Sequence, residues 1–249
     1  ATTIGRGIGV LIAFRALVRP GHRLTVTAAH WRLDPAVIGS VLRLARTATL
    51  QFLIGTASWI GLVRLLATYG SVAVAGYTIA IRLVIFGILP SWGLSNAAAT
   101  MVGQALGAGK PDRADRSVWV ASRYNLAFLG VLGVIFVAFA PQIVGWFGSD
   151  AAVSHVAARA LRIVSLGFPL YAFGMVLTQA FNGAGDTWTP TWLNLVVFWI
   201  FESPLAWWLA RTVGLGPDGA VYLADFAFSS LPRASALVRR RARRRPPQR

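Results

Sequence analysis

Two ionisable side chains lie deep inside long apolar runs, and they mark where this sequence has the means to do chemistry. Glu202 is the only glutamate of the chain and the only charge between Thr187 and Ala210, and Arg82 falls within the apolar run that begins at Val72. If each run crosses a bilayer at 1.5 Å per residue, Glu202 sits about 12 Å and Arg82 about 15 Å below the same side. A charge near the bilayer centre costs at least about 2.5–3.5 kcal/mol on insertion scales. Two opposite charges at matching depth therefore point either to a structural ion pair or to a polar cavity that handles a proton, a cation or a substrate. Arg64 lies only about 6 Å in and can snorkel outward without a partner. The neutral polar residues Gln51, Tyr77, Asn96, Gln104, Asn125, Gln179 and Asn194 fall in the same kind of run. Such groups either line a cavity or bridge helices by hydrogen bonds. Tyr77, Asn96, Gln51 and Asn194 join Glu202 and Arg82 as candidates for a substrate or cation pathway.

Other chemistries fail on their own residues. Gly103 to Pro111 has the glycines of a phosphate loop, but Gln104 stands where the first glycine is needed and Pro111 replaces the hydroxyl residue that would hold magnesium. Gly183-Ala184-Gly185 lacks the third glycine of a dinucleotide fingerprint, with Trp188 in its place. Small residues at these helix ends fit close helix packing and a tight turn instead. His22, His30 and His155 show no ligand spacing, so no metal site is expected, and the absence of cysteine removes disulfides and thiol chemistry. No nucleophile–base–acid arrangement supports an enzyme, and no cofactor is expected beyond a coupling ion.

The elements that must position these residues follow from composition. Of 249 residues 56% are hydrophobic and 13% charged, with a mean hydropathy of +0.61. Leu83 to Gly109 runs 27 residues without a charge, and Tyr124–Ser149 and Ile163–Gly185 are likewise uncharged. About 20 apolar residues cross the hydrocarbon as a helix, and in lipid the backbone must satisfy its own hydrogen bonds. The reading is an all-α, multi-pass membrane protein. Its spans are drawn at about 45–68, 72–108, 118–140, 153–181, 189–210 and, more weakly, 218–238. Residues 1–18 read as the remnant of a preceding span, 19–44 as a loop with an amphipathic helix from Pro35, 45–238 as a six-helix lobe, and 239–249 as an Arg-rich tail. Pro90, Pro169 and Pro204 fall inside spans, where each removes a backbone hydrogen bond and is expected to bend its helix.

Charge orients the spans. The net charge of +16 sits mostly between them: six Arg from Arg15 to Arg46, four basic residues from Lys110 to Arg123, and eight Arg from Arg233 to Arg249. The turns near Tyr69–Ser71, Pro141–Asp150 and Gly214–Gly219 hold no Arg or Lys. By the positive-inside rule the basic loops and the C-terminus are cytoplasmic, in the inner (plasma) membrane. Charge placed this way argues against nucleic acid as a partner and for the lipid bilayer. Trp119, Trp188 and Trp192 fall at proposed inner ends and Trp146, Trp207 and Trp208 at outer ends, the headgroup level that indole favours. The chain opens at Ala1 on a stretch that already reads as membrane-embedded, without the features of a signal peptide, which predicts that an upstream part is missing.

Several segments together resemble the multidrug and toxic compound extrusion (MATE) transporters. They are Ala75–Arg82, Leu89–Ala99 with Pro90-Ser91-Trp92-Gly93-Leu94-Ser95-Asn96, Val102–Gly109, Phe181–Thr187, and Glu202-Ser203-Pro204-Leu205-Ala206. Their order and spacing are similar to the second half of that family over roughly residues 40–220. The resemblance implies the C-terminal six-helix lobe of a twelve-helix antiporter, with a central cavity and a missing N-terminal six-helix lobe as its partner. It further implies exchange of Na⁺ or H⁺ for small organic, often cationic compounds. Two departures stand out: the first lobe with its coupling acid is absent, and the last span is broken by Asp225 and Pro232-Arg233. Two alternatives remain open. One is a related lipid-linked oligosaccharide flippase, favoured by Arg64 and Arg82. The other is a membrane-anchored interaction protein that uses its polybasic tail.

Overall fold

The computed structural model describes residues 2–18, 34–148, 150–212 and 218. They form α1 (Thr2–Val18), α2 (Pro35–Ala67), α3 (Ser71–Gly107), α4 (Pro111–Gly145), α5 (Ala151–Leu166), α6 (Phe168–Gly183), α7 (Trp188–Leu195), a π-helical segment (Val196–Glu202) and α8 (Ser203–Arg211). Among the described residues there is no strand. The chain divides into two compact units, 1–46 and 47–249. In the first, α1 carries exposed side chains from Ile4 to Arg15, and Asp34 starts α2 by accepting the Ala36 N–H on its Oδ1 at 2.8 Å. The amphipathic segment and the first span drawn from sequence both fall within α2. The expected last span and Arg-rich tail lie outside the described residues, apart from Asp218.

The second unit is built on α3 and α4, which pack against each other and against both α5 and α6. α2, α3 and α4 are each long and apolar enough to cross a membrane, and the bent pair α5–α6 makes a fourth candidate. Two groups of buried side chains fill the unit. One gathers Leu66, Tyr77, Val84, Leu129, Phe136, Leu161 and Phe168, and the other gathers Ala98, Val102, Val118, Val176 and Ala180. The outside is apolar too: Phe86, Leu89, Trp92, Val131, Val134 and Phe139 are all exposed. A surface of that kind suits lipid rather than water.

Three departures from uniform helix have local causes. The span expected at 153–181 breaks at Gly167 into α5 and α6, bent by 55°. Gly167 bonds back to Val164 in a tightened turn, and Pro169 begins the next helix, where its missing N–H costs nothing. The span expected at 189–210 winds without interruption from Trp188 to Arg211 but widens to π geometry before Pro204. Pro204 cannot bond the carbonyl four residues back and its ring would strike it, and the wider winding relieves that conflict. α4 kinks at Phe139 (φ −108°, ψ 16°), ahead of Pro141. By contrast α3 continues through Pro90 as one helix.

The glycine turns singled out in the sequence are helix caps. Gly109 and Gly185 adopt positive φ of 69° and 75°. In each turn the next N–H reaches back five residues, Lys110 to the Ala105 carbonyl and Asp186 to the Phe181 carbonyl, the Schellman pattern. Asp186 then begins α7, accepting from the Thr189 N–H and hydroxyl at 3.2 and 2.8 Å. These two turns lie at the same end of the unit, with Lys110, Arg113 and Arg116 beside the first. We call this the basic end. The turns at 67–71 and 145–151 lie at the opposite end.

Candidate functional site

At the basic end α3 and α6 cross at the closest approach of the unit's glycines. A Cβ added at Gly183 would lie 2.2 Å from the Ala99 carbonyl oxygen, and one at Gly103 would lie 3.1 Å from the Gly183 oxygen. Only backbone fits at Gly183, so the expected role of small residues here, close packing, is what the geometry shows. One turn further into the unit, this contact positions three amides. Gln179 Nε2 donates to Asn96 Oδ1 at 2.6 Å, and Asn182 Nδ2 donates to Gln179 Oε1 at 2.9 Å. Gln179 and Asn182 share a face because they are three residues apart on a helix. Asn96 is exposed, Gln179 and Asn182 are half-buried, and Asn182 Oδ1 and Thr178 Oγ1 are buried atoms without a partner among the described residues.

Length places this chain of amides in the membrane. α3 has 37 residues, about 55 Å at 1.5 Å each, against a hydrocarbon core of about 30 Å. Centred on the bilayer, it projects about 12 Å at each end, and Asn96 lies about 16 Å from Gly107. Asn96 is thus just inside the hydrocarbon on the basic side. Gln104 lies beyond it, in a cavity of about 120 Å³ lined with Met101, Ala105 and Arg113. That space holds a few waters but no drug-sized molecule.

The remaining candidates are dispersed. Gln51 is half-buried on α2, and its Nε2 is a second kind of orphan, a buried donor with no partner among the described residues. The Thr191 hydroxyl reaches the Thr47 carbonyl at 3.4 Å and Trp199 Nε1 the Ile54 carbonyl at 3.4 Å, so α2 and the α7–π segment run parallel. Gln51 therefore lies level with half-buried Asn194 and Leu195. Tyr77 is packed in the core at 3% exposure, not on an open face. Arg82 is exposed on α3. Glu202 closes the π segment, but its side chain, and with it the pairing to Arg82, lies outside the described residues. Asn125 is fully buried and bridges α4 to α6 by donating to the Ala172 carbonyl at 3.0 Å.

Gln179 and Asn182 are not among the pathway candidates expected from the sequence. Their i, i+3 spacing was the available signal. Their pairing with Asn96 of α3, 83 residues before Gln179, leaves no such signal, although Asn96 is itself among the candidates.

Comparison with known proteins places this arrangement. The family model MatE matches residues 47–208. The probable multidrug resistance protein NorM of Caulobacter vibrioides is 33% identical over 155 residues, covering 61% of this chain and 32% of that protein. The probable multidrug resistance protein YoeA of Bacillus subtilis is 24% identical over 232 residues, covering 92% of this chain and 50% of that one. The chain thus spans half or less of these curated relatives. A crystal structure of MATE in complex with MaL6 superposes with a TM-score of 0.82 at 20% identity, covering 94% of this chain and 52% of its own. An outward-facing multidrug resistance MATE family transporter of the MOP superfamily gives the same score and identity, with 53% of its chain covered. These structures match the fold, an all-α membrane bundle corresponding to about half of a transporter. On the strength of the matched region and of that fold, the chain belongs to the MATE family.

Proposed function

We propose that this protein is the C-terminal six-helix lobe of a secondary efflux transporter that exchanges Na⁺ or H⁺ for small organic, often cationic compounds. In this reading it works by alternating access, rocking against an N-terminal six-helix lobe around a central site. The observation that carries the reading is the match of residues 47–208 to the family, together with relatives that are named multidrug resistance proteins. An exposed amide at hydrocarbon depth, Asn96, supports it, since such a group belongs on a polar path rather than against lipid. Glu202 is the residue for proton or cation coupling, supported by Arg82. The basic end faces the cytoplasm of the inner membrane, as does the C-terminus, because arginine and lysine collect there. Enzymatic turnover and a bound cofactor have no place in this mechanism.

Ethidium accumulation in an efflux-deficient bacterial host tests the reading. Cells expressing the protein together with an N-terminal lobe should accumulate less dye than cells with an empty vector, and Glu202→Gln should restore accumulation. Equal accumulation with and without the protein would overturn the efflux function. Normal efflux by Glu202→Gln would overturn the coupling role alone.

A further inference from the structure

The amides joining α3 to α6 are not accounted for by packing. Their chain ends on one side at Asn182 Oδ1, buried without a partner among the described residues, and on the other at exposed Asn96. Leaving a buried acceptor unmade is costly, and apolar residues here would have avoided it, so the arrangement calls for a functional reason. An amide is donor and acceptor at once, and its terminal torsion is broad and roughly two-fold. Turning all three amides by 180° exchanges nitrogen and oxygen while keeping both hydrogen bonds, with their direction reversed. Asn96 Nδ2 then donates to Gln179 Oε1, and Gln179 Nε2 donates to Asn182 Oδ1. The exposed end is what changes: Asn96 presents Nδ2 outward in one state and Oδ1 in the other.

We propose that Asn96, Gln179 and Asn182 form a hydrogen-bonding site of reversible polarity for the neutral polar groups of transported compounds. Carbonyl or ether acceptors are met by Asn96 Nδ2, and N–H or O–H donors by Asn96 Oδ1. Asn96 touches the compound, and Gln179 is a positioning residue that couples its orientation to that of Asn182. The proposal rests on the efflux reading above and deepens it. One bundle can thereby contact chemically opposite ligands without a change of fold.

The test is binding to the purified protein in lipid nanodiscs at pH 8, followed by fluorescence. The probes are ethidium (amine donors), N-methylacridone (a carbonyl acceptor without donors), and tetraphenylphosphonium (neither), which competes with ethidium and corrects for added charge. Asn96→Leu should weaken ethidium and N-methylacridone each by about tenfold relative to tetraphenylphosphonium, as expected for one lost hydrogen bond. In Gln179→Glu both carboxylate oxygens accept, so Asn96 must donate inward and hold Oδ1 outward. N-methylacridone should then weaken about tenfold while charge-corrected ethidium binding is kept. Asn96→Asp, an acceptor only, makes the same prediction at an exposed position and serves if Gln179→Glu does not assemble. Equal losses of both probes in the acidic variants, or no loss in Asn96→Leu, overturn the proposal and leave efflux standing. A wild-type protein that binds none of the three probes overturns both.

Discussion

Two crossings bring polar groups into this apolar bundle and treat them differently. Toward the end opposite the basic one, Pro141 has no N–H, so the Val137 carbonyl four residues before it loses its helical partner. Arg162 of α5 supplies one, its Nε donating to that oxygen at 3.1 Å. At the basic end the α3–α6 amides satisfy one another and then stop, leaving Asn182 Oδ1 unmade. In the first crossing a polar group exists because the backbone created a need, and one side chain meets it. In the second, polar side chains were placed where leucine would pack, and one atom is still without a partner. The need that is met reads as architecture, and the excess at the α3–α6 crossing, which runs out to exposed Asn96, reads as function.

The contrast can be broken most forcefully at the backbone. Gly183→Val should push α6 off α3, because its Cβ would meet Ala99 backbone rather than a yielding side chain. We expect a loss of about 3 kcal/mol or failure to assemble, seen as a collapse of the monodisperse peak in detergent chromatography. Next comes the arginine. Arg162→Leu should cost about 1.5–3 kcal/mol in thermal unfolding, the range for a hydrogen bond from a charged donor. In a Pro141→Ala background the restored N–H can take the Val137 carbonyl, so the same substitution should cost less by about 1 kcal/mol. An equal cost in both backgrounds would show that Arg162 serves something other than the proline-freed carbonyl. Asn125→Leu should cost about 0.6 kcal/mol, the average for a hydrogen bond between membrane helices, since Asn125 gives one bond to Ala172 and keeps an orphan oxygen of its own. The smallest effect on stability belongs to Asn182→Leu, within about 0.5 kcal/mol of wild type, because half-buried Asn182 bonds only Gln179 three residues away on its own helix, whereas fully buried Asn125 joins two helices. Its effect on dye efflux should be larger than its effect on unfolding. The reverse ranking would make the amides structural and erase the contrast.

What the sequence made legible were features whose cause is local. The glycine turns at 107–109 and 183–185, the bend near Pro169 and the long apolar runs follow from a few neighbouring residues, and all four are present in the fold. Pairings between helices were not legible. α3 is apolar on most faces, so nothing in its pattern tells that Tyr77 points into the core while Asn96 points out. The π winding before Pro204 was equally hidden, since a proline inside a span signals a disturbed helix but not whether it kinks, as α4 does ahead of Pro141, or widens. Arg162 read as a charge near the end of a span, and its role appears only when α4 and α5 are side by side.

The break at Gly167 bears on how the molecule is made. α5 and α6 have 16 residues each, about 24 Å of helix, and neither reaches across a hydrocarbon core of about 30 Å. During synthesis neither is a complete hydrophobic signal for the insertion machinery, whereas α3 and α4 before them are. The Ser165 carbonyl, whose normal acceptance is lost to Pro169, lies 2.9 Å from where a Cβ on Gly133 of α4 would sit. The bent pair thus meets a seat already formed by earlier helices, and its entry into the bilayer is an act of docking rather than of partition.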